Sequence, residues 1–151
     1  MSTATVTRKF SWEMGHRLPQ HSGRCRRLHG HSYICEVDVT GEVKAVSAEQ
    51  SDAGMVVDFY QLKEALNEAV GVWDHRMMLW EKDPLLKLFS EPQQALVGII
   101  TVPFMPTAEN IALEIMRRLN TDSTLSAYAI TRVRVYETTT GWAEVRQKEA
   151  E

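Results

Sequence analysis

Residues 29–40 read HGHSYICEVDVT, and apolar and polar side chains alternate along this stretch. One face of an extended chain would carry Tyr33, Cys35, Val37 and Val39. The opposite face would carry Ser32, Glu36, Asp38 and Thr40, with Ile34 as the exception. A period of two predicts a half-buried β-strand, and His29 and His31 continue its apolar face. Both imidazoles are therefore expected to project from one side of a sheet.

A second stretch with the same period precedes this strand. Apolar residues occupy the even positions from 6 to 14, except for Arg8, and His16 follows on the same face. This pattern predicts a strand that ends near His16. Antiparallel pairing of the two strands would bring His16 close to His29 and His31.

The rest of the chain predicts two long helices and two further strands. Asp58 has the character of a helix N-cap, with Gln61 as its capping-box partner. The first helix would bury the apolar stripe Phe59, Leu62, Leu66, Ala69 and Trp73. A second helix begins near Thr107 and would bury Ile111, Ile115 and Leu119. Strands at 129–137 and 142–146 follow, joined by a Thr-Thr-Thr-Gly turn.

The order of these elements predicts the fold class. The order is strand, strand, helix, helix, strand, strand, and a tight turn joins the last two strands. This order favours an antiparallel sheet and the α+β class. Shorter elements are expected between the helices, a helix at 84–89 and a strand at 97–102. The 151 residues contain no repeat and no linker-like tract, so we predict one domain over residues 1–151.

Composition narrows the classes of function. The formal net charge is -3 at pH 7, and the sequence has no aromatic-basic surface pattern. Both features argue against a nucleic-acid binder. No apolar run approaches the ~18 residues of a membrane span, and the N-terminus lacks a secretory core. Cys25 and Cys35 alone do not make a secreted disulfide scaffold. We therefore expect a cytoplasmic protein with no membrane partner.

The three patterned histidines predict a metal centre. Neutral imidazole is the commonest zinc ligand, and three histidines with an open fourth position describe a catalytic site. The expected ligands of Zn²⁺ are His16, His29 and His31, whereas His21 has no patterned partner and is assigned no role. The spacing also allows a closed site with Cys25 as fourth ligand. That arrangement would make the protein a zinc-stapled binding module.

Cys25 is the first candidate for acid-base chemistry. It lies among Arg24, Arg26 and Arg27, whose charges favour the reactive thiolate. A thiolate at this position could serve as a base or a nucleophile. Cys35, in contrast, falls on the apolar strand face and is interpreted as a buried hydrophobic residue.

Three acidic or basic residues further along the chain complete the candidates. Asp74 precedes His75, and a carboxylate beside an imidazole is a common acid-base pair, although a charge pair at a helix C-terminus is the simpler interpretation. Glu137 ends the apolar row of Val133 and Val135. Its carboxylate would suit a ligand with two neighbouring N–H donors, and an exposed strand end is the alternative.

Together these segments resemble the 6-carboxytetrahydropterin and 6-pyruvoyltetrahydropterin synthases, which share the tunnelling fold. The matching segments are FSWEMGHRL (10–18), CRRLHGHSY (25–33), GMVVDF (54–59), DH (74–75), PTAEN (106–110) and YET (136–138). They span nearly the whole chain in the order typical of the family, and this ordered combination is far more specific than any one segment. The resemblance implies a four-stranded antiparallel sheet with two long helices on one face.

The resemblance also implies a role for each candidate residue. The implied zinc ligands are His16, His29 and His31, with an open position for the substrate. The implied proton-transfer groups are Cys25, Asp74 and His75. Glu137 would anchor the amino-pyrimidine edge of a pterin, with Thr107 and Glu109 as helpers. We further hypothesise that Arg24, Arg26 or Arg27 helps to hold the triphosphate, with solvated surface charge as the alternative for each.

The three residues between Cys25 and His29 resemble the 6-carboxy branch of the family. This branch converts 7,8-dihydroneopterin triphosphate to 6-carboxy-5,6,7,8-tetrahydropterin for 7-deazaguanine and queuosine synthesis. The alternative is the 6-pyruvoyl reaction, which eliminates triphosphate and keeps the side chain. The family forms trimers that pair into hexamers, so a homo-oligomer is expected. The segment 77–105 is longer than in compact members, and we expect it to shape the pocket rim or a subunit contact.

Overall fold

A computed structural model describes residues 2–46 and 50–147. In this part of the chain six strands form one mixed sheet in the order β4-β3-β1-β2-β5-β6. The strands are β1 (Thr3–His16), β2 (His29–Glu42), β3 (Arg76–Trp80), β4 (Ile99–Val102), β5 (Ala129–Thr138) and β6 (Gly141–Arg146). The α+β class is confirmed. The assignment of residues 1–151 to one domain stays a prediction.

The prediction of a four-stranded antiparallel sheet is wrong. β1, β2, β5 and β6 are antiparallel neighbours, as expected, but β3 pairs parallel with β1 and β4 pairs parallel with β3. The two added strands extend the sheet beyond the free edge of β1. The chain can reach them in parallel orientation because a helical crossover precedes each one.

Two long helices pack against one face of this sheet, and a shorter one lies beside the edge strand β4. They are α1 (Phe59–Val70), α2 (Glu91–Val97) and α3 (Ala108–Thr121), with short 3-10 helices at Arg24–Arg26, Gly71–Trp73, Pro84–Leu88 and Ser123–Leu125. Asp58 caps α1, but Gln61 donates to the carbonyl oxygen of Thr124 (2.6 Å), so the expected capping box is wrong. Thr107 caps α3 as expected. None of the helices in the described part of the chain is long and apolar enough to cross a membrane.

The pairing of β1 with β2 determines where the histidines lie. In this register His16 lies opposite His29, and Met14 lies opposite His31. Directly paired residues share a face of the sheet, so all three imidazoles project toward the helices. The expected meeting of the three side chains at one end of this hairpin follows from the register.

The core lies between this face of the sheet and the two long helices. The expected apolar row of β2 is buried, and Cys35 is 0% exposed. Opposite it lie Leu62 and Leu66 of α1 and Ile111 and Ile115 of α3, all 0% exposed. Of the predicted α1 stripe, Phe59 alone is exposed. The expected short strand at 97–102 exists as β4.

Replacement of a core leucine should test this packing. We expect Leu66→Ala to lower the free energy of unfolding by about 2–5 kcal/mol, because it removes buried methyl groups and leaves a cavity. Leu113→Ala is the matched control, since Leu113 is 52% exposed on α3. Urea unfolding followed by circular dichroism measures both. Equal losses in the two variants would contradict the assigned core.

The opposite face of the sheet carries an ion-pair network. Arg132 donates to both carboxylate oxygens of Asp38 (2.8 and 2.9 Å) and lies 3.4 Å from both Glu36 and Glu144. Burial disfavours the charge of Asp38, but hydrogen bonds from Arg132 and Thr7 outweigh it and lower its pKa. The polar row of β2 is therefore held in place by charge pairs.

Candidate metal centre and adjoining cavities

Three histidine side chains converge at the end of the β1–β2 hairpin. One ring nitrogen from each of His16, His29 and His31 lies within 4.8 Å of the others. The ring centroids are 4.5 Å apart for His16 and His29, and 5.1 Å apart for each of the other two pairs. Among the described residues, these three form a group that could hold a metal ion.

The hydrogen bonds of two of these rings select the nitrogens that face one another. His16 Nδ1 lies 2.7 Å from the carbonyl oxygen of Pro106, and His29 Nδ1 lies 2.8 Å from that of Arg27. A carbonyl oxygen only accepts, so each Nδ1 carries the hydrogen and each Nε2 keeps a lone pair. His16 Nε2 is buried and has no hydrogen-bond partner. This orphaned acceptor fits a metal ion.

Burial keeps the His16 and His31 rings in the neutral state that binds metal. Burial lowers the pKa of His16 to about 4, despite the opposing hydrogen bond to Pro106. Burial also lowers the pKa of His31, against the attraction of Glu137. Both imidazoles are therefore neutral near pH 7, and only the neutral form has a lone pair to donate.

Glu137 lies beside this centre at the end of β5. Its Oε1 is 3.9 Å from His16 Nε2, and its side chain is 32% exposed. The Tyr33 hydroxyl is buried near Glu137 without a normal hydrogen bond, and burial raises the pKa of Tyr33. A cavity of about 330 Å³ is lined by Glu137, Thr107 and Glu109 among others. The structure thus places the three predicted substrate-binding residues around one cavity.

Cys25 lies apart from the histidine cluster. It is half-buried in the 3-10 turn at Arg24–Arg26, and its thiol is not among the clustered ligand atoms. The arrangement therefore favours a centre of three histidines with an open position. His21 also lies outside the cluster, where its Nδ1 accepts from the Gly23 amide (2.8 Å).

Asp74 and His75 form the expected pair beside a different cavity. His75 Nδ1 lies 3.0 Å from Asp74 Oδ2, and Asp74 Oδ1 accepts from the Glu13 amide (2.8 Å). These hydrogen bonds, with that of Glu13 the larger, lower the pKa of Asp74. His75 is 79% exposed and lines a cavity of about 350 Å³ with His31. Within one chain, His75 and Glu137 therefore line different cavities.

Sequence reasoning missed Arg17 and Asp83, which lie beside the Cys25 turn. Arg17 donates to both oxygens of Asp83, each at 2.8 Å. The two residues are 66 positions apart, and neither belongs to a periodic pattern. Asp83 before Pro84 is a local signal for a helix N-cap, a role that Asp83 fills, but the local sequence has no signal for its pairing with Arg17.

An α+β fold in which three histidines converge beside a carboxylate-lined cavity is typical of an enzyme, and the three histidines could hold a metal ion. The family model described as 6-pyruvoyl tetrahydropterin synthase matches residues 5–148, and the chain belongs to that family. The family predicted from the sequence segments is confirmed.

The relatives include curated enzymes and solved structures. The 6-carboxy-5,6,7,8-tetrahydropterin synthase of Haemophilus influenzae is 32% identical over 144 residues, covering 94% of this chain and 98% of the relative. The enzyme of the same name from Aquifex aeolicus is 30% identical, with coverage of 95% and 98%. The structure of 6-pyruvoyl tetrahydropterin synthase from Caenorhabditis elegans matches with a TM-score of 0.69, 25% identity and 98% of each chain. These relatives confirm the prediction of a 6-carboxytetrahydropterin synthase-like enzyme.

Proposed function

We propose that this protein is a zinc-dependent lyase that converts 7,8-dihydroneopterin triphosphate and water to 6-carboxy-5,6,7,8-tetrahydropterin, acetaldehyde and triphosphate. The observation that carries the proposal is the buried His16 Nε2, which has no hydrogen-bond partner. It lies among ring nitrogens of two further histidines and 3.9 Å from Glu137 Oε1. The names of the relatives support the choice of reaction.

The proposed zinc ligands are the Nε2 atoms of His16 and His29 together with a ring nitrogen of His31. Zinc bound there would act as a Lewis acid toward an oxygen of the substrate side chain. The Pro106 and Arg27 carbonyl groups hold two of the rings in the required orientation. A hydrogen bond from the other ring nitrogen to a carbonyl group also raises the basicity of the ligating nitrogen.

Glu137 is the proposed anchor of the pterin ring. A carboxylate can accept two parallel hydrogen bonds from the amino group and the ring N–H of an amino-pyrimidine. Thr107 and Glu109 line the same cavity at the start of α3 and would add polar contacts.

Cys25 is the proposed proton-transferring thiol, with Asp74 and His75 as the relay. His75 lines the cavity that contains His31 but not the one that contains Glu137. A homo-oligomer with active sites at subunit boundaries, as the family resemblance implies, would allow residues from two chains to act on one substrate. We therefore propose that the protein forms a trimer or hexamer. We also propose that it is located in the cytoplasm.

At least one of the three arginines around Cys25 is proposed to bind the triphosphate. All three are exposed, so they are accessible to a phosphate chain. Replacing Arg24, Arg26 and Arg27 with alanine should raise KM at least about tenfold, because a charge-assisted hydrogen bond contributes about 1.5–3 kcal/mol. Steady-state kinetics measure this, with exposed Lys63→Ala on α1 as the control. An unchanged KM would rule out the assignment.

The second candidate function is the 6-pyruvoyl reaction. The description of the matching family model and the name of the C. elegans structure favour it. That reaction eliminates triphosphate while the carbon side chain stays on the pterin, so it yields no acetaldehyde. A non-catalytic binding module stapled by three histidines and Cys25 is less well supported, because the thiol lies outside the histidine cluster.

Product analysis distinguishes these functions. The zinc-loaded protein is incubated with 7,8-dihydroneopterin triphosphate, and acetaldehyde, triphosphate and the pterin product are quantified. Acetaldehyde and 6-carboxytetrahydropterin in equal amounts are the expected result. Triphosphate without acetaldehyde would assign the 6-pyruvoyl reaction instead. Absence of any turnover would overturn the proposed activity.

A further inference from the structure

A buried ion pair joins the end of β1 to the turn that follows β3. The Arg17 guanidinium donates through Nε to Asp83 Oδ2 and through Nη2 to Asp83 Oδ1, at 2.8 Å each. The Asp83 side chain is 0% exposed and that of Arg17 is 18% exposed. This two-bond geometry fixes the orientation of both groups, which a single contact would not do.

The same arginine is joined to the turn that carries Cys25. Arg17 Nη1 lies 3.4 Å from the carbonyl oxygen of Arg26, and the next amide, that of Leu18, donates to the carbonyl oxygen of Cys25 (2.8 Å). Residues 17 and 18 therefore hold the turn through the carbonyl oxygens of Cys25 and of the residue that follows it. Its other residues, Arg24, Arg26 and Arg27, are exposed and add little burial.

Asp83 is itself held rigidly within the segment 77–105. Its Oδ1 accepts from the Leu85 amide (2.8 Å), and its own amide donates to the carbonyl oxygen of Trp80 (2.8 Å). The neighbouring Glu81 amide donates to the carbonyl oxygen of Val102 (2.8 Å), which ties this turn to β4. The aspartate is thus a fixed point against which Arg17 can be placed.

We infer that Arg17 and Asp83 are positioning residues that hold the Cys25 thiol in register with the three-histidine centre. The inference rests on the proposed role of Cys25. It also assigns a task to the segment 77–105, which supplies the buried carboxylate. A fully buried carboxylate is costly to desolvate, and its pairing with Arg17 specifies one placement of the arginine and of the turn bound to it.

The test compares two variants of this pair with a variant of another ion pair that lies away from the Cys25 turn. Asp83→Asn keeps the shape and the Leu85 hydrogen bond but removes the charge, and Arg17→Lys keeps the charge but loses the two-bond geometry. The control is Glu114→Gln, which breaks another carboxylate pair, with Arg117 and Arg118 on α3. Both test variants should retain equimolar zinc, since the histidines are unchanged.

The first readout is the rate at which iodoacetamide alkylates Cys25. We expect it to rise severalfold in Asp83→Asn and Arg17→Lys, because a released turn samples conformations that expose the thiol. Cys35 does not contribute, because it is fully buried and burial raises its pKa to about 12. Cys25→Ala supplies the blank for this assay.

The second readout is the separation of kcat from KM in the acetaldehyde assay. We expect kcat to fall about 10- to 100-fold with little change in KM, because a misplaced proton-transfer group slows the reaction of substrate that is already bound. Alkylation rates and kcat equal to those of Glu114→Gln would overturn the inference. If the wild-type protein releases no acetaldehyde, the proposed function fails, and the alkylation rates alone decide whether the pair positions Cys25. Should Asp83→Asn fail to fold, Arg17→Lys decides.

Discussion

Cys25→Ala should abolish acetaldehyde release while the protein keeps its fold and its zinc. The thiol is half-buried in a short 3-10 turn, and it does not belong to the histidine cluster. Its removal therefore leaves the core and the metal ligands intact. Loss of a positioned acid-base group lowers rates by about 10²–10⁴-fold, so the residual activity should fall to the detection limit. Single-turnover assays with equimolar enzyme would measure it.

The second cysteine supplies the matched control. Cys35→Ala alters a core residue that is 0% exposed on β2, so it should lower stability by about 0.5–3 kcal/mol while kcat stays near wild type. Metal analysis and thermal unfolding accompany both assays. If Cys25→Ala loses zinc and unfolds while Cys35→Ala does not, the site is a closed structural one, and the protein is a binding module.

The strands that could be predicted are those buried on one face. Along β2 the side chains of Tyr33, Cys35 and Val37 are 0% exposed and the residues between them mostly face the polar side, so the pattern has a period of two. In β3, Met78 and Leu79 are adjacent and both 0% exposed, because this strand is covered on both faces. Burial of consecutive residues removes the alternation, and a strand of five residues offers no other signal.

The candidate site likewise contains features that the sequence predicts and features that it does not. The histidine cluster was predictable because one strand pairing and a two-residue repeat determine where three side chains lie. The hydrogen bond between His16 and the carbonyl group of Pro106 was not predictable. Every residue has a carbonyl group, and this contact spans 90 positions. The separation of His75 from the Glu137 cavity depends on how β3 pairs with β1, and the sequence contains no signal for that parallel pairing.

His16→Ala should remove zinc and activity together. His16 is 1% exposed and is the most buried of the three clustered histidines, and its Nε2 has no other partner. Even a residue that only hydrogen-bonds to a metal ligand contributes about 10–100-fold to metal affinity. Loss of a ligand itself should therefore weaken zinc binding by more than about 100-fold. Equilibrium titration against a competing chelator measures this affinity. Loss of the Pro106 hydrogen bond would cost a further 1–3 kcal/mol of stability, roughly.

His21→Ala is the matched control, because His21 is exposed and outside the cluster and should leave both zinc and turnover unchanged. Cobalt substitution adds a readout that is independent of activity. A centre of three histidines would give visible ligand-field bands without the near-ultraviolet thiolate charge-transfer band, and His16→Ala should lose those bands. Equimolar zinc retained by His16→Ala would show that the metal lies elsewhere. A thiolate band in the wild-type protein would instead place Cys25 on the metal and exclude its proposed role as a free proton-transferring thiol.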